Sequence, residues 1–163
     1  MNYSPNAQQD VVRIFADTVL GIDKLSAVDT GADEVTETEL DLRSGQILGT
    51  VKKQSAASRY EVKVPNGVAG IRGTVYLLSA EGVVSVLVGS VVVAYTKADG
   101  SVATQVVVAG YQFDSRTGAL TPIPKPKMGD ILRIVRDCSI RILTRPTSFV
   151  VNGTLCYVSP VTN

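Results

Sequence analysis

The chain has 163 residues, 45% of them hydrophobic, and 16 basic against 15 acidic side chains. That suits one domain of ordinary size, able to bury roughly 70% of its unfolded surface without metal or disulfide staples. Near-balanced charge gives no global field to draw nucleic acid or an anionic membrane, and the lack of histidine removes the usual general base and the commonest metal ligand.

Valine is the most frequent apolar residue, with 26 copies. Its branched Cβ stiffens χ1 and packs well on a pleated surface, so the composition reads as all-β. In chain order the first strand candidates are Val11 to Phe15 and Val19 to Leu25. Thr36 to Leu42 alternates Thr36, Thr38, Leu40 and Leu42 with Glu37, Glu39 and Asp41, as a half-buried strand does. Gln46 to Val51 follows. Arg59-Tyr60-Glu61-Val62-Lys63-Val64 alternates strictly, and Pro65-Asn66-Gly67 supplies a turn. Thr74 to Ser79 is the next candidate. Val83 to Val88 and Val91-Val92-Val93 are apolar on both faces, as central strands are. Ala98-Asp99-Gly100 then marks a hairpin before Val102 to Ala109. Asn152-Gly153 repeats that signal between Val150-Val151 and Leu155-Cys156. No ten-residue window sustains apolar residues at helical spacing, so no helix is expected.

Gly45, Gly67, Gly89 and Gly110 lie 22, 22 and 21 residues apart. Such a period suits the coils of a rolled or solenoid-like β structure of many short strands, with a sandwich as second choice. The alternation of Pro122, Pro124 and Pro126 favours extended geometry and defines a linker at 121–127. It separates a main β domain, 1–120, from a C-terminal β-hairpin extension, 128–163, expected to pack on the main body or add strands to a neighbouring chain. Cys138 and Cys156 both fall in strand-like segments. Whether they form a disulfide is left open, and they match no metal spacing. The longest apolar run, Val102 to Gly110, is too short to span a bilayer. Met1 to Pro5 has neither the basic nor the apolar region of a signal peptide.

Three blocks, in order, resemble the FecR domain. They are Glu61-Val62-Lys63-Val64-Pro65-Asn66-Gly67-Val68-Ala69-Gly70-Ile71-Arg72-Gly73-Thr74, then Val86-Leu87-Val88-Gly89-Ser90-Val91, then Val108-Ala109-Gly110-Tyr111-Gln112. The resemblance spans roughly residues 10 to 114. The chain departs from the family pattern in having Val64 where threonine is frequent, and in an inserted Tyr111. Gly70 and Gly73 bracket Ile71-Arg72, which lets the backbone bend and turns Ile71 inward; the Arg72 fork suits tying down carbonyls of an adjacent loop, with a role facing a partner as the alternative. The resemblance implies a non-enzymatic, periplasmic or secreted protein-binding domain that relays signals in iron-siderophore transport regulation. It also implies an envelope partner, either an outer-membrane receptor or a membrane-bound regulator, and a mature fragment carrying an added Met1. Nothing in the chain matches the family's anti-sigma segment or transmembrane helix.

Two rival readings stand beside it. Ala27-Val28-Asp29-Thr30-Gly31-Ala32 matches the active-site pattern of retroviral-type aspartic proteases, in which a homodimer would pair Asp29 with its symmetry mate. The pattern's second element, apolar-apolar-Gly-Arg, is missing, and Asp-Thr-Gly also suits a plain turn. The other rival is a secreted structural or adhesive module that works through its edge strands. Carboxylates at Asp33, Glu34, Glu37, Glu39 and Asp41 could attract Ca²⁺, but their alternation favours a solvated face. Lys52-Lys53 and the later arginines are too sparse for nucleic acid. No catalytic, cofactor-binding or metal-ligating residue is assigned, and no cofactor is expected.

Overall fold

The computed structural model describes residues 10–31, 34–52, 55–144, 147–151 and 154–158, with side chains described up to residue 137. Ten strands form one mixed sheet: β1 (Val11–Ile14), β2 (Val19–Asp29), β3 (Glu34–Ser44), β4 (Gln46–Thr50), β5 (Arg59–Val64), β6 (Gly67–Ser79), β7 (Val83–Thr96), β8 (Val102–Val108), β9 (Tyr111–Asp114) and β10 (Ala119–Pro122). The protein is all-β over this region, as the valine content and alternation predict.

The long strands give the sheet its form. The first half of β6 pairs with β5, and its second half pairs with β4. On its other side β7 runs antiparallel along the whole length, and then pairs with β9 near its start and β8 near its end. Two groups of strands result, β2-β3-β5 with β8 and β1-β4 with β9-β10, joined by β6 and β7, which belong to both. Pairing is antiparallel except between β3 and β5.

Inward residues show how the joining strands change direction. In β6 they are Ala69 and Ile71, then Tyr76 and Leu78; in β7 they are Val84 and Val86, then Val91 and Val93. An odd step separates the two pairs in each strand. Side chains alternate faces with period two, so an extra residue must sit between the pairs to keep both on the core side. The register breaks there, between Arg72 and Val75. Gly73 and Gly89 stand at the break with φ of 59° and 79°. Strands that pass from one sheet region to another through bulges are the usual way to make a corner. Both halves then feed one core that includes Leu42, Ile47, Val62, Tyr76, Val86, Val91 and Phe113. Fully burying one such side chain stabilises by about 1.5–3 kcal/mol.

The glycine period therefore has a different meaning from stacked coils. Gly45 separates β3 from β4, Gly89 lies at the β7 bulge and Gly110 separates β8 from β9, each with positive φ. Gly67 instead opens β6 after the Pro65-Asn66 turn, and the β6 corner falls at Gly73. Gly45, Gly89 and Gly110 mark bends in a sheet of mostly antiparallel strands, and Gly67 shares their spacing without sharing that role.

The ten-strand body, Gln8–Pro124, is one compact unit, and the C-terminal segment belongs to a second. There the expectation of no helix is corrected. α1 (Lys125–Thr144) precedes the hairpin of β11 (Thr147–Val151) and β12 (Thr154–Val158). Pro126 is compatible with a helix because it falls in the first turn, where no intrahelical N–H bond is lost. Met128, Ile131, Val135, Cys138 and Ile142 follow at steps of three and four, so helical spacing is sustained here, against the expectation. The expected linker thus overlaps the end of β10 and the start of α1. Among the described residues, no helix is long and apolar enough to cross a membrane.

Candidate functional site

The Ile71-Arg72-Gly73-Thr74 signature lies inside β6, at the corner, rather than in a loop. Ile71 is buried as expected. The Gly73 N–H donates to the Lys52 carbonyl (3.1 Å), while Thr74 and Val51 exchange backbone bonds of 2.9 Å in both directions. The buried Thr74 hydroxyl donates to the Ser90 carbonyl at 2.8 Å and lies 3.0 Å from the Arg72 carbonyl. A Cβ on Gly89 would press on the carbonyl oxygen of Gly73 and stand 3.0 Å from the Thr74 hydroxyl. The closing block completes the seam: the Ala109 N–H donates to the Gly89 carbonyl (3.1 Å) and the Gly110 N–H to the Val86 carbonyl (2.8 Å). Three blocks far apart in sequence thus meet along one line of backbone bonds. Arg72 sits on the exposed side of this seam, opposite Ser90.

Beneath the other half of the sheet, Tyr60 and Tyr76 bring their hydroxyls to 3.5 Å. Burial pushes the Tyr60 phenol up to about 12, and desolvation likewise holds Tyr76 well above its usual value. Both rings stay neutral at physiological pH, which suits a shared hydrogen bond and not acid–base chemistry.

The acidic strand predicted at residues 36–42 is part of a charged ladder. Glu37 meets Lys24 and lies 3.8 Å from Arg59. Glu39 lies 3.7 Å from Arg59 and 3.4 Å from Lys63, which also reaches Asp23 at 3.0 Å. Arg59 binds Glu61 through two 2.7 Å bonds, and Arg43 binds Asp41 at 2.7 Å. The Arg59 bonds hold Glu61 below the ordinary carboxylate range, and the Asp23 and Glu39 bonds raise Lys63. Parallel pairing of β3 with β5 sets this up by placing Glu39 level with Glu61 and next to the cations of β5. Carboxylates matched this way are not a cation cage. Among the described residues no group of three or more potential ligands is placed to hold a metal. Asp33 and Lys53 lie outside the described residues, and Lys52 takes part through its backbone.

Asp29 ends β2, exposed, and its Oδ1 accepts the Gly31 N–H at 2.8 Å. The carboxylate forms the Asx-type turn that the sequence offered as the plain alternative to a catalytic pair. Cys138 lies in α1 and not in a strand, and Cys156 lies in β12; their side chains, and so the question of a disulfide, fall outside the described residues.

The structure adds a surface that alternation alone did not identify. Val92, Val102, Val106 and Val108 are all exposed, on β7 and the edge strand β8. In the sequence Val92 reads as core because its run is apolar on both faces, whereas Val102 to Ala109 reads only as a strand, and nothing in either pattern says which face is left uncovered.

Residues 4–92 match the FecR family, described as FecR protein, so the closing block at 108–112 lies beyond the matched span. Among solved structures, a candidate anti-sigma factor from Parabacteroides distasonis ATCC 8503 is 16% identical, with a TM-score of 0.47 over 86% of this chain and 59% of the other. A second candidate anti-sigma factor from the same organism is 10% identical, with a TM-score of 0.42 over 91% and 98%. The chain thus spans about 59% of the length of the first of these. No curated protein matches the sequence.

Proposed function

The chain belongs to the FecR family, and from that membership we propose that it is a non-enzymatic signalling module of the cell envelope, periplasmic or secreted, which works by binding another protein. The partner is an outer-membrane receptor or a membrane-bound regulator, and the process served is control of iron-siderophore transport.

The observation that carries this reading is the use made of the family signature. Gly73, Thr74 and Gly89 are occupied by the seam: Gly73 and Thr74 bond to Lys52, Val51 and Ser90, and the Gly89 carbonyl accepts the Ala109 N–H. A rigid bent sheet is a scaffold for presenting surface, and relay by contact needs no more chemistry than that. The charges on β3 and β5 are matched to one another, so they contribute solubility and register more than a steering field. The turn role of Asp29 supports binding over proteolysis.

The test is affinity capture from an envelope extract of the source organism with the full chain as bait, followed by mass spectrometry. Specific recovery of an outer-membrane receptor or a membrane-bound regulator is expected. Recovery of background proteins alone would count against the relay, and would favour the structural or adhesive module. One observation already leans toward that second reading, namely the uncharged open edge of β8.

A further inference from the structure

Among the described residues the sheet ends at four strands, β1, β2, β8 and β10, and three of these carry a device against pairing with other chains. β1 and β10 are four residues long, β1 with Arg13 and β10 with Pro122. β2 is longer, but its register breaks between Val19 and Leu20 and between Ile22 and Lys24, and it contains Asp23 and Lys24. Short length, proline, bulges and charge are the usual means of blunting an edge. β8 has none of them. Val102-Ala103-Thr104-Gln105-Val106-Val107-Val108 pairs with Thr96 to Ser90 in unbroken register and contains no charge, proline or glycine.

Hydrogen-bond phase tells which backbone groups are left over. Lys97 N–H donates to the Ser101 carbonyl at one end of the β7–β8 ladder, and Ala109 N–H donates to the Gly89 carbonyl at the other. In an antiparallel ladder bonded and non-bonded pairs alternate, so the odd-numbered residues of β8 exchange bonds with β7. The N–H and C=O groups of Val102, Thr104, Val106 and Val108 therefore point to the open edge. One of those carbonyls has a partner already: the Gln105 Nε2 donates to the Val106 carbonyl at 2.8 Å.

We propose that two copies of this chain pair antiparallel along β8, about a two-fold axis at Gln105, and extend the sheet from one copy into the other. The strand is complementary to itself in this register. Val102 faces the partner's Val108, and Thr104 faces the partner's Val106, each a bonded pair of matching phase. Ala103 faces the partner's Val107, and Gln105 faces its own mate. No charge opposes another, and the exposed valines of the two copies lie side by side. A strand with alternating charges, such as β5, would set those charges against valine, so a second copy fits this edge better. The Gln105 amide must leave the Val106 carbonyl as the strands meet, so that carbonyl exchanges an intrachain donor for one from the second copy. The proposal is independent of the regulatory reading and of any partner captured from the envelope.

Sedimentation velocity of the full chain over a concentration series tests it. A concentration-dependent dimer is expected. Val106→Lys should abolish it while the strand signal in circular dichroism is retained, and Leu25→Lys on β2 should leave it intact. In a Cys138→Ser, Cys156→Ser background, Gln105→Cys should cross-link under mild oxidation, because non-bonded antiparallel pairs stand about 4.5 Å apart at Cα, within disulfide reach. A monomer at every concentration would overturn the proposal, as would a dimer that survives in folded Val106→Lys or is lost in Leu25→Lys. If Val106→Lys does not fold, the cross-link decides, and its absence also overturns the proposal.

Discussion

Gly89 and Gly100 both belong to the β7–β8 region, both have a left-handed backbone, with φ of 79° and 82°, and look alike in sequence. Their surroundings differ completely. Around Gly89 the Gly73 carbonyl and the Thr74 hydroxyl fill the space a Cβ would need, whereas nothing lies within 4 Å of the same position on Gly100. The hairpin tip asks only for a backbone conformation. The seam asks for that conformation and for the absence of a side chain as well, because two strands bend through each other there. The comparison separates a turn, which other residues could make at modest cost, from a corner, which the whole body depends on.

Substitutions should widen that difference. Gly89→Ala is expected to destabilise most, by about 3 kcal/mol or more, since left-handed strain of roughly 1–2 kcal/mol adds to roughly 1–3 kcal/mol of overpacking. Urea denaturation followed by circular dichroism measures it, and a loss under about 1 kcal/mol would mean that the seam yields. Thr74→Val keeps the side chain's shape but removes the buried hydroxyl's bond to the Ser90 carbonyl, for a loss of about 1 kcal/mol in the same assay. Gly100→Ala should cost about 1 kcal/mol, from backbone strain alone.

The smallest effect belongs to the charged ladder, which is half in water and screened by salt. Glu61 is held below its ordinary range by Arg59. Its stabilising contribution is complete above the unfolded glutamate value of about 4.3, and fades as pH falls through the lower folded value. Glu61→Gln should therefore lower stability slightly near neutrality and leave it unchanged at low pH, where Glu61 is protonated in both states, so that the acid limb of the stability–pH curve flattens. An unchanged acid limb would mean that the Arg59 bond does not persist in solution.

Much of the body could be read from the sequence, because alternation is a local property. Tyr60, Val62 and Val64 on one face of a strand, or the Asp99-Gly100 turn, need no knowledge of the partner strand. The corner was half legible. The spacing of Gly45, Gly89 and Gly110 was visible, but whether it meant coils or bends depends on strand pairing, which is non-local. Thr74 was read as a strand's first residue, and its hydroxyl bond across the sheet to Ser90 carries no sequence signal. α1 runs against the expectation that no window keeps helical spacing, because Met128, Ile131 and Val135 do keep steps of three and four just after the prolines that read as a linker. The pairing of Glu37 and Glu39 with Arg59 and Lys63 was hidden for another reason: parallel contact between β3 and β5 cannot be inferred from either strand. The exposed valines of β8 look the same in sequence as the buried ones of β7.

The signature is a rigid corner of the scaffold. Amide hydrogen exchange of the full chain, followed residue by residue, tests this most directly. The Gly73 and Thr74 amides, bonded to Lys52 and Val51, should exchange only through global unfolding and rank with Val86 and Val91 among the slowest in the chain. Exchange at Gly73 and Thr74 as fast as at the Gly100 hairpin tip would contradict the account, and would make the signature a mobile surface element instead of a fixed seam.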